Sequence, residues 1–335
     1  MKKNRLLVVL IMTMPFVVAA QDGLGDLFNG SVADAKYLTE GYASPLMKSV
    51  GYGLNQGWVN TAKTHKIAGF DLTVSVNPVF TPSSDQVFTV DNSKLSSVYL
   101  YKDMNGNSGL NPSTGKGNIP TILGADDKET EFREKGLGTG SFNGPNGIGY
   151  NFLPVPTANL GFGLPKGFDI KIRFVPTIKL GGGEDAGKLN LWGIGVMHDF
   201  KQWIPGIKAL PFDLSVFAGY TKMTLDVDIA EGGPDGKGSF SSAATTFQVI
   251  ISKKISVLTP YASVGMNLAT TKLDVKGNYD FNGTQVKDPF SLSVASNGPR
   301  ATAGIRLKFG PIAFHGDYTL AKYKSASVGL GIAVR

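Results

Sequence analysis

Alternating apolar and polar positions dominate the C-terminal part of the chain. Every second residue is apolar from Ala301 to Phe309, and the alternation resumes over Phe314–Leu320 and Val328–Val334. Successive side chains of a strand point to opposite faces, so each run predicts a strand with one apolar face and one small, polar or charged face. Because Gly310-Pro311 leaves room only for a tight turn, the pattern predicts antiparallel hairpins.

The same alternation extends back through most of the chain. The earlier predicted strands lie at 52–58, 69–78, 87–101, 152–162, 168–179, 192–196, 212–229, 239–254 and 260–275. Together with the last three runs they give about 12 strands, or 14 if the segments at 87–101 or 102–147 add a hairpin. Prolines in the run at 152–162 predict an irregular wall there.

Segment lengths between the strands fall into two classes. If the last strand ends in the periplasm, short turns such as 81–84 and 165–167 fall on that side, and the long loops, above all 102–147, fall outside. Short periplasmic turns and long external loops are typical of outer-membrane barrels, as is an even strand number. Residues 51–335 are therefore predicted to form an all-β, antiparallel transmembrane β-barrel with lipid outside and a polar interior.

The first twenty residues predict an export signal. Lys2, Lys3 and Arg5 precede an apolar stretch that ends at Val18-Ala19-Ala20, so cleavage is expected before Gln21. Removing three positive charges lowers the formal net charge from +7 to 7 − 3 = +4. The expected location is the cell outer membrane, with its lipid as the surrounding partner.

Residues 21–50 are predicted to form a short N-terminal helical segment. Ser31 and Asp34 resemble a helix capping box, and apolar residues follow at helical spacing, with interruptions at Gly41 and Pro45. Two placements are open: short helices that plug the barrel, or a loose periplasmic segment.

Several stretches of the sequence resemble those of an uncharacterised family, a domain of unknown function, of exported Bacteroidota barrel proteins. These stretches are DAKYLTEGYASPL (34–46), NQGWVNTAK (55–63), GFDLTVSVNP (69–78), KQWIPGIKALPFDLSVFAGYT (201–221) and YTLAKYKSASVGLGIAVR (318–335). The resemblance implies an outer-membrane barrel and gives no residue a chemical role. The chain is more loosely similar to the long-chain fatty-acid transporter type of barrel, which also has an N-terminal plug, but no Asn-Pro-Ala occurs near the predicted mature N-terminus.

Catalytic and metal-binding motifs are not evident. The chain has no cysteine, and its three histidines are far apart in sequence, without HExxH or GxSxG. Asp103–Gly109 echoes the start of a calcium loop, but a plain Asn/Gly turn is favoured because the glycine is one place late and position twelve is Thr114. We therefore expect no enzyme activity, no metal, no cofactor and no nucleic-acid partner.

A diffuse set of charged side chains lies on the predicted inner faces. The candidates for lining the lumen are Lys171, Arg173, Lys179, Arg306, Lys308, His315, Asp317, Asp71 and Asp213. They either line an open lumen or pair within a filled one. Two functions follow: a passive pore or conduit for small or hydrophobic solutes, or a closed barrel that acts as a surface scaffold or partner subunit. The sequence does not indicate an oligomeric state.

Overall fold

The computed structural model describes residues 30–136, 140–180, 187–228, 236–281 and 284–334. The predicted signal peptide lies outside these residues. One long helix, α1 (Val32–Leu54), precedes all the strands. Within the described residues, no helix combines the length and the hydrophobicity needed to cross a membrane.

Eighteen strands follow α1 among the described residues. They are β1 (Phe70–Phe80), β2 (Val87–Asp91), β3 (Val98–Lys102), β4 (Lys116–Pro120), β5 (Glu131–Glu134), β6 (Ser141–Asn143), β7 (Phe152–Leu164), β8 (Phe168–Leu180), β9 (Gly187–Asp199), β10 (Asp213–Asp228), β11 (Lys237–Ser252), β12 (Leu258–Lys276), β13 (Asn278–Phe281), β14 (Thr284–Lys287), β15 (Phe290–Ala295), β16 (Gly298–Phe309), β17 (Ile312–Leu320) and β18 (Lys324–Val334).

Ten of these strands close into an antiparallel barrel. The order around the wall is β1, β7, β8, β9, β10, β11, β12, β16, β17 and β18, and β18 pairs back to β1. β15 is one extra strand. It pairs with the C-terminal end of β12, past the part of β12 that pairs with β16. The all-β barrel is confirmed, whereas the count of about 12 wall strands is not.

Two predicted strands are absent from the wall. Residues 52–54 belong to α1, so the strand at 52–58 is wrong. The segment 87–101 forms β2 and β3, which pair only with β4 and β5 in small separate sheets. In both cases apolar residues recur because the segment packs on a core, not because it forms part of the barrel wall.

The barrel has two rims. At the lower rim β1 begins and β18 ends; at the upper rim β1 ends and β7 begins. Residues 81–151 connect β1 to β7 at the upper rim, and we call them the cap. The turn at 81–84 is therefore on the same side as the long 102–147 segment, not on the opposite side as expected. The cap is partly ordered into β2–β6.

The polarity of the wall is reversed relative to a soluble protein. On β18, Val328 and Leu330 are 67% and 51% exposed, whereas Ser325 and Ser327, which point inward, are buried. The same holds on β17, where Phe314 and Leu320 are exposed and Thr319 is buried. From the first to the last of its nine residues, β17 has eight steps of about 3.4 Å, which at a tilt of about 40° give an apolar band roughly 21 Å high.

The wall is irregular between β7 and β8, and we call this place the seam. β7 pairs with β1 along its length, but its pairing with β8 ends at Asn159↔Arg173. Beyond that point β7 carries Pro154 and Pro156, and β8 shifts its register against β9 around Pro176. Proline has no N–H to donate to a ladder, so the irregular wall predicted from the prolines is present.

Candidate functional site

Residues 32–69, which we call the inner segment, begin against the cap and continue into the barrel lumen. Side chains from strands all around the wall form one apolar layer with the C-terminal half of α1, and only the lumen can bring them together. This layer contains Val50, Tyr52, Leu54, Val79, Leu153, Val155, Val175, Leu189, Leu191, Met223, Leu225, Ala244, Ala269 and Tyr323.

Helix α1 is continuous over 23 residues despite Gly41 and Pro45. Its N-terminus is capped as predicted, because the Ser31 hydroxyl accepts a hydrogen bond from the Asp34 N–H at 3.2 Å. Gly41 does not interrupt the helix; it lets the cap approach, since a Cβ there would lie 2.4 Å from the Phe88 ring. The expected set of short helices is therefore one long helix.

Arg173, on β8, binds the chain where α1 ends. It is fully buried, and its guanidinium donates to the Leu54 carbonyl at 2.7 Å, the Gln56 carbonyl at 2.6 Å and the Asn159 side chain at 2.9 Å. The last carbonyls of a helix have no partner within the helix and carry partial negative charge. The buried Arg173 guanidinium supplies both hydrogen-bond donors for these carbonyls and a positive charge beside the negative end of the helix.

Arg300, on β16, binds the same turn from the other side of the lumen. It donates to the Asn55 carbonyl at 2.7 Å and to the Gln56 side-chain oxygen at 2.7 Å. Longer bonds join it to the hydroxyls of Thr302 and Thr319. We call Arg173 and Arg300 the arginine clamp, since together they fix the inner segment to two distant parts of the wall.

Beside the clamp, Trp58 packs against the part of the wall formed by β8 to β11. Its indole is buried, packs on Phe217 with ring centroids 5.5 Å apart, and lies 3.9 Å from the Arg173 guanidinium. The wall makes room for it with glycine: a Cβ at Gly195 or Gly219 would lie 2.7 Å from the Phe217 ring and 3.3 or 3.1 Å from the indole. The small wall residues Gly195 and Gly219 thus leave the space that the Trp58 indole and the Phe217 ring occupy.

At the lower rim His65 joins the inner segment to two wall carboxylates. Its Nδ1 lies 2.8 Å from Asp169, its backbone N–H donates to the same carboxylate at 2.9 Å, and its Nε2 lies 3.3 Å from Asp71. Lys171 Nζ is 3.8 Å from Asp71. Gly163 makes room for this crossing, because a Cβ there would meet the Lys66 carbonyl at 2.1 Å. We call His65, Asp71 and Asp169 the histidine clasp.

Another group of predicted residues lies on β16 and β17. Arg306 and His315 are buried on the inner face, and Asp317 and Lys308 are partly buried. Asp317 accepts a hydrogen bond from the Tyr261 hydroxyl at 2.7 Å. Asp317 is therefore paired with a side chain of another wall strand, β12.

Two further predicted lumen residues, Asp213 and Lys179, are not part of the clamp or the clasp. Asp213 is partly buried at the start of β10, and the side chain of Lys179 lies outside the described residues. Sequence reasoning missed the wall residues Asp169 and Arg300 and the inner residues Gln56 and His65. Asp169 lies on the same strand face as the predicted Lys171 and Arg173, and Arg300 on the same face as the predicted Arg306, so the alternation could have indicated both. No local pattern marks Gln56 or His65.

A buried carboxylate at the start of α1 is one of the contacts that hold the cap. Asp34 accepts backbone hydrogen bonds from Ser96 and Ser97, each at 2.7 Å, and from Val98 at 3.2 Å. Burial raises the pKa of Asp34, but the hydrogen bonds from Ser96 and Ser97 outweigh it, so the pKa lies below its usual value. The ionised carboxylate therefore stabilises the docked cap.

The calcium-like stretch in the cap forms a turn. Both backbone N–H groups of Asn105 and Asn107 donate to the Asp103 carboxylate at 2.9 Å, as does the Asn107 amide at 3.0 Å. The carboxylate is thus used by its own loop. Across the described parts of the chain, no group of three or more acidic or histidine side chains could hold a metal ion.

Comparison with known proteins gives distant structural likenesses. The translocator domain of the autotransporter NalP from Neisseria meningitidis matches with a TM-score of 0.35 and 10% identity, over 90% of this chain and 98% of that one. The β domain of the Bordetella autotransporter Brka matches with a TM-score of 0.36 and 11% identity, over 80% and 99%. The toluene transporter TodX of Pseudomonas putida matches with a TM-score of 0.24 and 9% identity, over 88% and 71%.

No curated protein matches the sequence. The Bacteroidota origin stays a prediction. A family model does match, over residues 1–334, and so nearly the whole chain. The chain belongs to the family of unknown function DUF6588.

Proposed function

We propose that this chain is an outer-membrane β-barrel whose lumen is closed by its own inner segment. The apolar outer band, roughly 21 Å high from the strand length, is close to the band of about 25 Å typical of such barrels. Exposed side chains such as Val328, Leu330 and Phe314 would each be unfavourable in water and favourable in lipid.

The arginine clamp is the observation that supports the closed state. A water-filled pore leaves its basic side chains hydrated, but Arg173 is fully buried and its donors are used by Leu54, Gln56 and Asn159. The apolar layer around Val50 and Leu54 lies in the same lumen and excludes water from it. The function we propose is that of a closed barrel that presents its cap at one face of the membrane as a scaffold or partner subunit.

Single-channel recording tests this function. Purified protein reconstituted into planar bilayers should give no steady conductance at low voltage, while its heat-modifiable migration verifies that the barrels are folded. A constant ohmic conductance in folded, wild-type barrels would contradict the closed state and favour a passive pore.

A second function, a conduit for hydrophobic solutes, is favoured by the seam. Beyond Asn159↔Arg173 the two strands are not paired, and their inward side chains Leu153, Val155 and Val175 belong to the apolar layer. An apolar solute could therefore pass from the band into the lumen without crossing a hydrogen-bonded ladder.

A disulfide staple tests the seam. Ala158 and Phe174 would oppose each other if the β7–β8 pairing continued by one residue, so the pair Ala158→Cys and Phe174→Cys should close the seam when oxidised. The matched control is Ala303→Cys with Tyr318→Cys, which already oppose each other on β16 and β17. Uptake of an apolar fluorescent dye by cells should fall with the oxidised seam staple alone and recover with reductant. Unchanged uptake would exclude this route.

A further inference from the structure

The outer face of the wall has an apolar furrow of about 600 Å³ on β8 to β12. Ala218 forms its floor, because it presents only a methyl group between its larger paired neighbours Val196 and Phe247. One row of paired residues follows the furrow across all five strands: Phe168, His198, Val216, Val249 and Val264. The outer band is therefore hollow at this place.

The furrow runs from the lower rim towards the middle of the band. Phe168 is the first residue of β8, whereas Val264 lies six residues after Leu258, the start of β12. Four inter-strand steps of about 4.8 Å give the row a length of roughly 19 Å. The hydrocarbon core of a bilayer is about 30 Å thick, so each leaflet supplies about half of it. A single acyl chain, which enters from the rim and ends within its own leaflet, suits this position and direction.

Aromatic rings mark the rim end of the furrow. His198 stacks on Phe168 with ring centroids 4.0 Å apart, and it accepts a hydrogen bond from the Trp203 indole N–H at 2.9 Å. The Trp203 side chain is 66% exposed. An indole has an apolar body and a polar N–H, so tryptophan favours the boundary between hydrocarbon and headgroups. Trp203 thus places the rim end of the furrow at the level of the headgroups.

The turns below the furrow strands are basic. No Asp or Glu occurs in the turns at 165–167, 200–212 and 253–257, and the carboxylates at the adjoining strand ends, Asp169, Asp199 and Asp213, are buried or partly buried. The Gln202 side chain donates to the Lys166 carbonyl at 2.8 Å, which joins the first two turns. The exposed side chains of the three turns include four lysines: Lys166, Lys208, Lys253 and Lys254.

An apolar furrow that ends at a basic surface matches a ligand with an acyl chain and a negatively charged head. We propose that the furrow binds an anionic phospholipid, with one acyl chain along β8 to β12 and its phosphate at the lysines of the turns. A soluble anion would leave the furrow empty, and a lipid without net charge would leave the lysines uncompensated. The proposal rests on the membrane location proposed above and does not depend on whether the lumen is closed.

Native mass spectrometry tests the headgroup end. Folded protein in detergent, given dioleoyl phosphatidylglycerol or dioleoyl phosphatidylcholine, should retain more of the former. Lys166→Gln with Lys208→Gln should weaken phosphatidylglycerol binding roughly 30-fold, since each lysine near an anionic headgroup contributes a factor of about five. The matched control, Lys222→Gln with Lys272→Gln, removes the same charge from exposed positions of β10 and β12 nearer the upper rim and should bind as the wild type. Equal binding by the two double variants would overturn the proposal.

Filling the furrow tests the acyl-chain end. Ala218→Trp should lower the retention of both lipids, whereas Ala303→Trp, on the exposed outer face of β16, should not. Wild-type retention in Ala218→Trp would show that the furrow is not the site. Heat-modifiable migration must show folded barrels throughout. Folded wild-type barrels that insert into vesicles without preferring phosphatidylglycerol would refute the lipid site and leave the proposed function standing; a protein that does not insert would refute both.

Discussion

Replacing Arg173 by methionine should loosen the inner segment without breaking the wall. Methionine has a comparable length and is apolar, so it fills the site but cannot donate. The Gln56 carbonyl, now 2.6 Å from a guanidinium nitrogen, would lose that donor in a buried place. The Leu54 carbonyl would lose its 2.7 Å bond and keep the longer one from the Thr221 hydroxyl at 3.2 Å. The stacking of the guanidinium on Trp58 at 3.9 Å would be lost as well.

The magnitude follows from these contacts. Each buried acceptor left without a partner costs about 1–3 kcal/mol, and a desolvated cation–π contact adds about 2 kcal/mol. Removing the buried charge offsets part of this loss, since its desolvation is no longer required. We expect a net weakening of about 2–4 kcal/mol, which corresponds to a roughly 30- to 700-fold larger population of open barrels.

Single-channel recording measures that population as the frequency of opening. The matched control is Lys222→Met, a change of the same kind on the exposed outer face of β10, which should open no more often than the wild type. Heat-modifiable migration must show folded barrels for all three proteins. If folded Arg173→Met opens as rarely as the control, the clamp does not hold the segment and the reasoning is refuted.

Three further predictions concern the wall, the lower rim and the cap. Leu330→Arg, on the apolar band, should lower the free energy of unfolding in lipid by about 2–4 kcal/mol if it lies at the bilayer midplane, whereas Thr224→Arg, on the outer face above the band, should be nearly neutral; equal losses would contradict the band. His65→Ala leaves the two carboxylates of the histidine clasp without their imidazole and should cost about 3–5 kcal/mol in thermal or denaturant unfolding, while His198→Ala, whose partly buried ring accepts from an exposed Trp203 and stacks on Phe168, should cost less. Since the folded pKa of Asp34 lies below its ordinary value of 3.8, its contribution is present above that value and is lost as the pH falls through the folded pKa. The protection of the amides that it binds, measured relative to their intrinsic exchange rates, should therefore fall in acid, and Asp34→Asn should show low protection at every pH; wild-type protection in Asp34→Asn would refute this role.

The wall of the barrel was predictable from sequence, but its contents were not. Period-two alternation directly encodes which side chains face outward, so the wall strands from 152 to 334 were found, although β9 extends beyond 192–196 at both ends. The short strands β13, β14 and β15 were not predicted. The same alternation led to a wrong strand prediction at 52–58. There the end of a helix and the coil after it pack on buried cores, which also places apolar residues at alternate positions. Contacts inside the lumen join residues far apart in sequence: Arg300 binds Gln56 across 244 positions. No local pattern can indicate such a pair, so the partners of Arg173 in the clamp and of Asp71 in the clasp were missed.

The central claim is that the inner segment lies inside the barrel, and a disulfide trap tests it most directly. The hydroxyl oxygens of Thr61 on the inner segment and Ser252 on β11 are 3.3 Å apart, a separation that suits a disulfide between two cysteines. The chain has no cysteine of its own, so Thr61→Cys with Ser252→Cys gives an unambiguous readout by gel migration after mild oxidation in lipid vesicles. The mismatched control is Thr61→Cys with Ser242→Cys, ten positions further up the inner face of β11. We predict a near-complete cross-link in the first pair and none in the second; two free cysteines that both react with a polar maleimide in the first pair would contradict a closed, filled barrel.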